Sequence, residues 1–171
     1  MANIISETVI RNGKKVEFIW HPREILENVI LHQVYGFLVT KDNLAVLVRD
    51  KEEKRFTLPG GKIEKGEMAH DAFIRECIEE AQIQPHNPLL LGSLEYINPS
   101  GKDDEDKHHQ EIRYFSIADN FKKFEPLKNG FETEERFFVY YENLPDYVPW
   151  LSKSETGKAQ YNDLVKLITK K

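Results

Sequence analysis

Three glutamates, Glu76, Glu79 and Glu80, stand at i, i+3 and i+4 in a stretch free of glycine and proline, Met68 to Ala81. On a helix these positions are neighbours, so three like charges would repel one another. A plain solvated helix gains nothing from that arrangement. Hard divalent cations do gain, because they take several carboxylate oxygens and keep some waters, the preference of Mg²⁺ or Mn²⁺ rather than of zinc. Just upstream lies Leu58-Pro59-Gly60-Gly61. Neither glycine carries a Cβ, so the backbone there can approach a bound group closely. The small Ala69 and Ala72 leave room above the carboxylates. Read from the residues, this is a metal and diphosphate site made of a tight loop followed by a helix.

At about 100° per residue, Ile74, Cys77, Ile78 and Ala81 fall together on an expected core face, with the three glutamates opposite. Cys77 is the only cysteine. It reads as a small packing residue, and a lone cysteine forms no intrachain disulfide.

The stretch Gly61 to Ile83 resembles the Nudix box, G-x5-E-x7-R-E-U-x-E-E-x-G-U with U apolar. Gly61, Glu67, Arg75, Glu76, Glu79 and Glu80 all match, and Cys77 and Ile83 fill apolar positions. Two residues depart from the pattern. Gln82 replaces the last glycine, which costs about 1 kcal/mol if a left-handed C-cap is kept. Met68 stands where a serine or threonine often caps the helix, forgoing about 1 kcal/mol. Neither departure removes a metal ligand.

The resemblance implies an α/β/α sandwich, a mixed sheet between helices, over roughly residues 33 to 168. It implies a Mg²⁺-dependent hydrolase, with Mn²⁺ as the alternative ion, acting on the phosphoanhydride of a nucleoside diphosphate linked to another moiety. Glu76, Glu79 and Glu80 are then the metal ligands, with Glu76 or Glu79 nearest the attacking water. The Gly60 carbonyl adds a further ligand, and Glu67 supports the loop or binds metal through water. Arg75 orients a box glutamate. Members differ in the source of the general base; outside the box Glu111 is the candidate, because it sits where a long polar loop meets a strand, with Glu95 and Glu105 behind it. ADP-ribose or a nucleotide sugar is the favoured substrate class, supported by Pro99, which lies where some ADP-ribose members carry a proline. A housecleaning nucleoside triphosphate pyrophosphohydrolase and a non-catalytic nucleotide-binding sensor stay open as alternatives. The related isopentenyl-diphosphate isomerase chemistry uses a cysteine upstream of the box, and this chain has none there.

The elements that must position these residues follow in order. Asn12-Gly13 is a tight-turn signal between Thr8-Val9-Ile10 and Lys15 to Trp20, so residues 1–32 are expected to be an N-terminal extension built on a β-hairpin, with 33–171 as the Nudix domain. The hairpin either packs on the domain or makes a homodimer contact; residues 21 to 32 are ambiguous. Val34 to Thr40 and Leu44 to Arg49 are near-continuous apolar runs, the mark of strands covered on both faces. Phe56 to Leu58 leads into the glycine turn. Leu89 to Ile97, Gln110 to Ala118 and Phe137 to Tyr141 are further strands. Asn98 to His109 is a long polar loop or substrate lid, with His108 and His109 read as solvated. Tyr161, Leu164, Val165 and Ile168 predict a closing amphipathic helix.

The chain has 171 residues and a net charge of −5. That balance argues against broad electrostatic binding to nucleic acid or an anionic membrane. No apolar run reaches the roughly 18 residues of a membrane span. The N-terminal stretch lacks the basic-then-apolar order of a signal peptide, so a cytoplasmic location is expected. The expected partner is a small nucleotide or nucleotide-diphosphate substrate.

Overall fold

The computed structural model describes residues 4–126 and 133–170. Strands β1 (Ile5–Arg11) and β2 (Lys14–Pro22) form the hairpin around Asn12-Gly13. Strands β3 (Ile30–Val39) and β4 (Leu44–Asp50) follow, then the short β5 (Phe56–Thr57) and β6 (Gly60–Lys62). Helix α1 is Ala69–Ala81, and β7 is His86–Ile97. A single helical turn, α2 (Asp104–Lys107), leads directly into β8 (His108–Ile117). Strand β9 (Thr133–Tyr140) precedes two short helices, α3 (Leu144–Tyr147) and α4 (Trp150–Lys153), and the long α5 (Glu155–Thr169).

The strands join in the order β1-β2-β7-β8-β3-β4-β5, with β6 added on β3 and β9 on β4. The β3–β8 pairing is parallel and the others are antiparallel, so the sheet is mixed. The hairpin continues the sheet through β2 and β7, Trp20 lying opposite Leu94.

Alternation along β3 and β4 explains their unbroken apolar sequence. Phe37, Val39, Ala45 and Leu47 point to one core with Leu144, Leu151 and Leu164 from the α3–α5 region. Val34, Leu38, Val46 and Val48 point to the other, with Phe73, Cys77 and Ile83 around α1. Helices thus cover both faces of the sheet.

Three expectations change. The helix does not bury Ile74, Cys77, Ile78 and Ala81 together: Ile78 is exposed, and the buried set is Ala69, Ala72, Phe73, Glu76, Cys77 and Ala81. Phe73 decides the rotation. Its ring stacks on Tyr114 and fills the space that a Cβ on Gly36 would occupy, so the helix turns Phe73 inward and carries Glu76 with it. The polar stretch Asn98 to His109 is not all loop. Asp103 caps α2 by accepting from the Asp106 amide, and the strand starts two residues early. His109 is buried, not solvated, because it lies opposite Tyr96 in the sheet and stacks on its ring.

Helix α5 is tied to the hairpin. Glu7 on β1 accepts hydrogen bonds from the backbone amides of Glu155 and Thr156, at 3.1 and 3.2 Å, and from the Thr156 hydroxyl. Burial alone would raise the Glu7 pKa, but these donors at a helix N-terminus outweigh it and hold it below the ordinary 4.5. A carboxyl depressed in the folded state stabilises fully above the unfolded value and loses that contribution as pH falls through the folded value. Glu7→Gln is therefore expected to lower Tm at pH 7, and the gap from wild type should close as the pH is taken below 4.5. Thermal melts across pH check this; a gap that stays constant would remove the carboxylate from the account.

Candidate active site

Two ends of the chain segment 60–81 are drawn together by Arg75. Its Nε and Nη2 donate to the two carboxylate oxygens of Glu67, each at 2.9 Å, a forked pair. Nη1 donates to Glu76 Oε1 at 2.7 Å and to Glu79 Oε2 at 3.3 Å. Nη2 also reaches the Lys62 carbonyl at 3.1 Å. One guanidinium therefore fixes the loop, through Glu67 and Lys62, to two of the three helix glutamates. The Glu67 hydrogen bonds hold the Arg75 pKa above its ordinary range, and Arg75 in turn holds Glu67 below the usual carboxylate value.

The third glutamate is held from the other side. Glu80 Oε2 accepts from the Gly60 amide at 2.9 Å. Strand β6 pairs with β3, placing Gly60 opposite Tyr35 and Gly61 opposite Val34. A Cβ on Gly60 would lie 2.1 Å from the Val34 carbonyl oxygen, and one on Gly61 would lie 2.5 Å from Glu76 Oε1. The glycine pair is thus required by close packing on both sides of the turn.

Glu76 is the most enclosed of the three at 8% exposed. Burial raises its pKa, and the pull of Arg75 offsets this in part. Its charged form therefore gains from a further cation. The donor set fits a hard divalent ion in kind: three carboxylates of one helix facing a turn without Cβ atoms, in a polar cleft of about 580 Å³. Among the described residues no three acidic, histidine or cysteine side chains are already gathered in a metal-holding geometry. Arg75 takes one oxygen of Glu76 and one of Glu79, and the Gly60 amide takes one of Glu80.

The departures at the helix ends behave as their residue types require. Met68 provides no side-chain cap. Gln82 takes the left-handed conformation, φ 53°, and its side chain makes a two-way pair with Glu125, donating to the carbonyl at 2.6 Å and accepting from the amide at 3.0 Å. Arg136 on β9 donates to the Ala81 carbonyl at the end of the helix, at 2.8 Å.

Glu111, the candidate base outside the box, is not among the side chains lining the carboxylate cleft. It lines an adjoining cavity of about 1160 Å³, and its Oε2 accepts from Arg113 at 2.7 Å. Glu105 bonds His32 Nδ1 at 2.5 Å and Lys62 Nζ at 3.2 Å, and Glu95 lies between His21 and His108. Sequence reasoning missed the larger cavity. Its walls include Phe18, Tyr35, Tyr96, Arg113 and Trp150, drawn from β2, β3, β7, β8 and α4. Only the sheet register brings these distant positions together.

With this geometry in view, the NUDIX domain family profile matches residues 30–159. The chain belongs to the Nudix family. It is 30% identical over 154 residues to an ADP-ribose pyrophosphatase of Methanocaldococcus jannaschii, spanning 82% of this chain and 81% of that protein. A mutant of the Bacillus subtilis pyrophosphohydrolase BsRppH superposes with a TM-score of 0.67 at 18% identity, over 94% of this chain and 96% of that one. A Nudix hydrolase from Nitrosomonas europaea superposes at 0.59, with 15% identity, over 81% and 90%. The α/β fold read from the sequence is the fold of these structures, and the chain is a Nudix-family hydrolase. Among the described residues no helix is long and apolar enough to cross a membrane.

Gly61→Ala tests how finely the Nudix box is set. Arg75 restrains the carboxylate that the new methyl would meet, so Glu76 must move as a positioned group. A misplacement of about 1 Å costs about 100-fold in kcat/KM, with Tm lowered but the protein still folded at the assay temperature. Steady-state kinetics beside a thermal melt separate this outcome from simple unfolding.

Proposed function

We propose that this Nudix hydrolase cleaves the diphosphate of a nucleoside diphosphate linked to a second moiety, with ADP-ribose as the first substrate to test. The observation that carries this is the joining of two cavities. The carboxylate cleft and the larger aromatic-walled cavity share Gln33, Tyr35, Arg55 and Thr57 in their linings. A molecule with a charged diphosphate and a flat nucleoside matches that pair of environments. The relative named as an ADP-ribose pyrophosphatase supports the same class.

In this reading Glu76, Glu79 and Glu80 hold Mg²⁺, or Mn²⁺, with the Gly60 carbonyl as a further donor and Glu67 as support. Bound divalent cations neutralise phosphate charge and acidify a water. Water adds at one phosphorus, the bridging P–O bond breaks, and the bridging oxygen leaves with the other phosphate. The chain's own contribution is mainly position and charge. Arg75 orients Glu76 and Glu79, and Gly60 orients Glu80. Glu79 is the preferred proton acceptor because it is the more exposed of the two carboxylates that share Arg75 Nη1. Glu111 remains the outside candidate, acting from the larger cavity's wall.

A panel of ADP-ribose, nucleotide sugars, nucleoside triphosphates and dinucleoside polyphosphates, each with Mg²⁺, Mn²⁺ or chelator, tests the assignment. Turnover of ADP-ribose or another nucleoside diphosphate conjugate is expected with metal and none with chelator. Glu79→Gln should lower kcat by about 100-fold or more. Turnover confined to triphosphates would move the assignment to a housecleaning role. Nucleotide binding without turnover of any substrate would make the protein a sensor.

A further inference from the structure

The neck between the two cavities is built differently from either of them. Gln33 and Tyr35 are two apart on β3, and Thr57 lies on β5 two residues beyond Arg55. All four side chains carry hydrogen-bond donors. Among the described residues, the side chains of Gln33, Tyr35 and Thr57 have no hydrogen-bond partner, although all three are half-buried. Tyr35 is held in place by other means. Its backbone lies against Gly60, and the Arg113 guanidinium sits over its ring, 5.2 Å from the centroid. Its hydroxyl is therefore positioned yet unengaged.

Among the described residues two cations line the carboxylate cleft, Lys62 and Arg55. Lys62 pairs with Glu105 at 3.2 Å and does not line the larger cavity, whereas Arg55 lines both. Arg55 pairs with Glu53, and both side chains are largely exposed, at 73% and 57%. An exposed pair of this kind is weak and easily exchanged. Arg55 is thus a forked cation, loosely held beside an acidic cleft, at the one place where the two linings overlap. A guanidinium suits bidentate contact with phosphate oxygens.

We propose that Arg55, with Tyr35, is the phosphate clamp of the site: it grips the phosphate that stays with the nucleoside, at the neck between the cavities. This rests on the hydrolase reading for its substrate class. It assigns the nucleoside to the larger cavity, where Phe18, Tyr96 and Trp150 supply aromatic surface, and the other phosphate and its moiety to the carboxylate side. Arg55 is a specificity residue in this scheme. It selects substrates with a phosphate next to the nucleoside, and it does not act on the attacking water.

The test compares wild type, Arg55→Ala, Arg55→Lys and Tyr35→Phe, using AMP and ribose 5-phosphate as separate probes. Binding is read by calorimetry and, with ADP-ribose as substrate, by product inhibition. Loss of a charged hydrogen bond predicts that Arg55→Ala weakens AMP by about 10- to 100-fold. Ribose 5-phosphate should change by less than about 3-fold, and KM for ADP-ribose should rise more than kcat falls. Lysine should restore part of the AMP affinity. Tyr35→Phe should weaken AMP by a smaller factor. Unchanged AMP binding in Arg55→Ala, equal loss for both probes, or no AMP binding to wild type would each overturn the clamp. The calorimetric arm keeps this outcome separate from the hydrolase reading. AMP binding that depends on Arg55, without turnover of any substrate in the panel, would support the clamp and defeat the hydrolase assignment.

Discussion

A single guanidinium has to satisfy three carboxylates and a carbonyl at once. Arg75 lies between the loop that carries Glu67 and Lys62 and the helix that carries Glu76 and Glu79. Without a cation at that point, carboxylates from two elements would face each other across a partly buried space, an arrangement that like-charge repulsion and desolvation both oppose. The contact sets how far apart loop and helix stand, and therefore the width of the cleft. The rest of the fold serves that spacing. Phe73 fixes the roll of α1 against Gly36 and Tyr114, while the β3–β6 pairing fixes the height of the glycine turn.

The two ends of α1 show how local cost is offset by tertiary contacts. Gln82 adopts a backbone that favours glycine, yet its amide side chain bonds both ways with Glu125. Arg136 adds a donor to the carbonyl end of the helix while packing over Phe121, 4.9 Å from the ring centroid. A glycine at position 82 would relax the backbone and lose the pairing with the 121–126 segment. The departure from the box pattern thus has a physical counterpart elsewhere in the chain.

The box itself was legible because its chemistry lies within one loop and one helix, where spacing alone makes residues neighbours. The hairpin was legible for the same reason, through Asn12-Gly13. Rotation of the helix was not. Periodicity treats Ile78 as core and Glu76 as surface, whereas the bulk of Phe73 and the space at Gly36 decide otherwise. The partial burial of Glu76 is the result. His109 was misread because polar neighbours in sequence hide a stacking partner one strand away. The larger cavity was invisible for a related reason: its walls come from five elements, and no short window contains them.

The bond network of Glu7 has a consequence for the order in which the molecule can be completed. The contact joins residues separated by 149 positions, from the first strand to the start of α5. During synthesis the outermost strand is made before the amides it must engage, which follow 149 positions later. Local hairpin pairing can form at once, since it needs only adjacent residues. Closure of this edge of the sheet onto α5 cannot. Until then the Glu7 carboxylate stays open to solvent on an edge strand, where a charge opposes pairing with other chains.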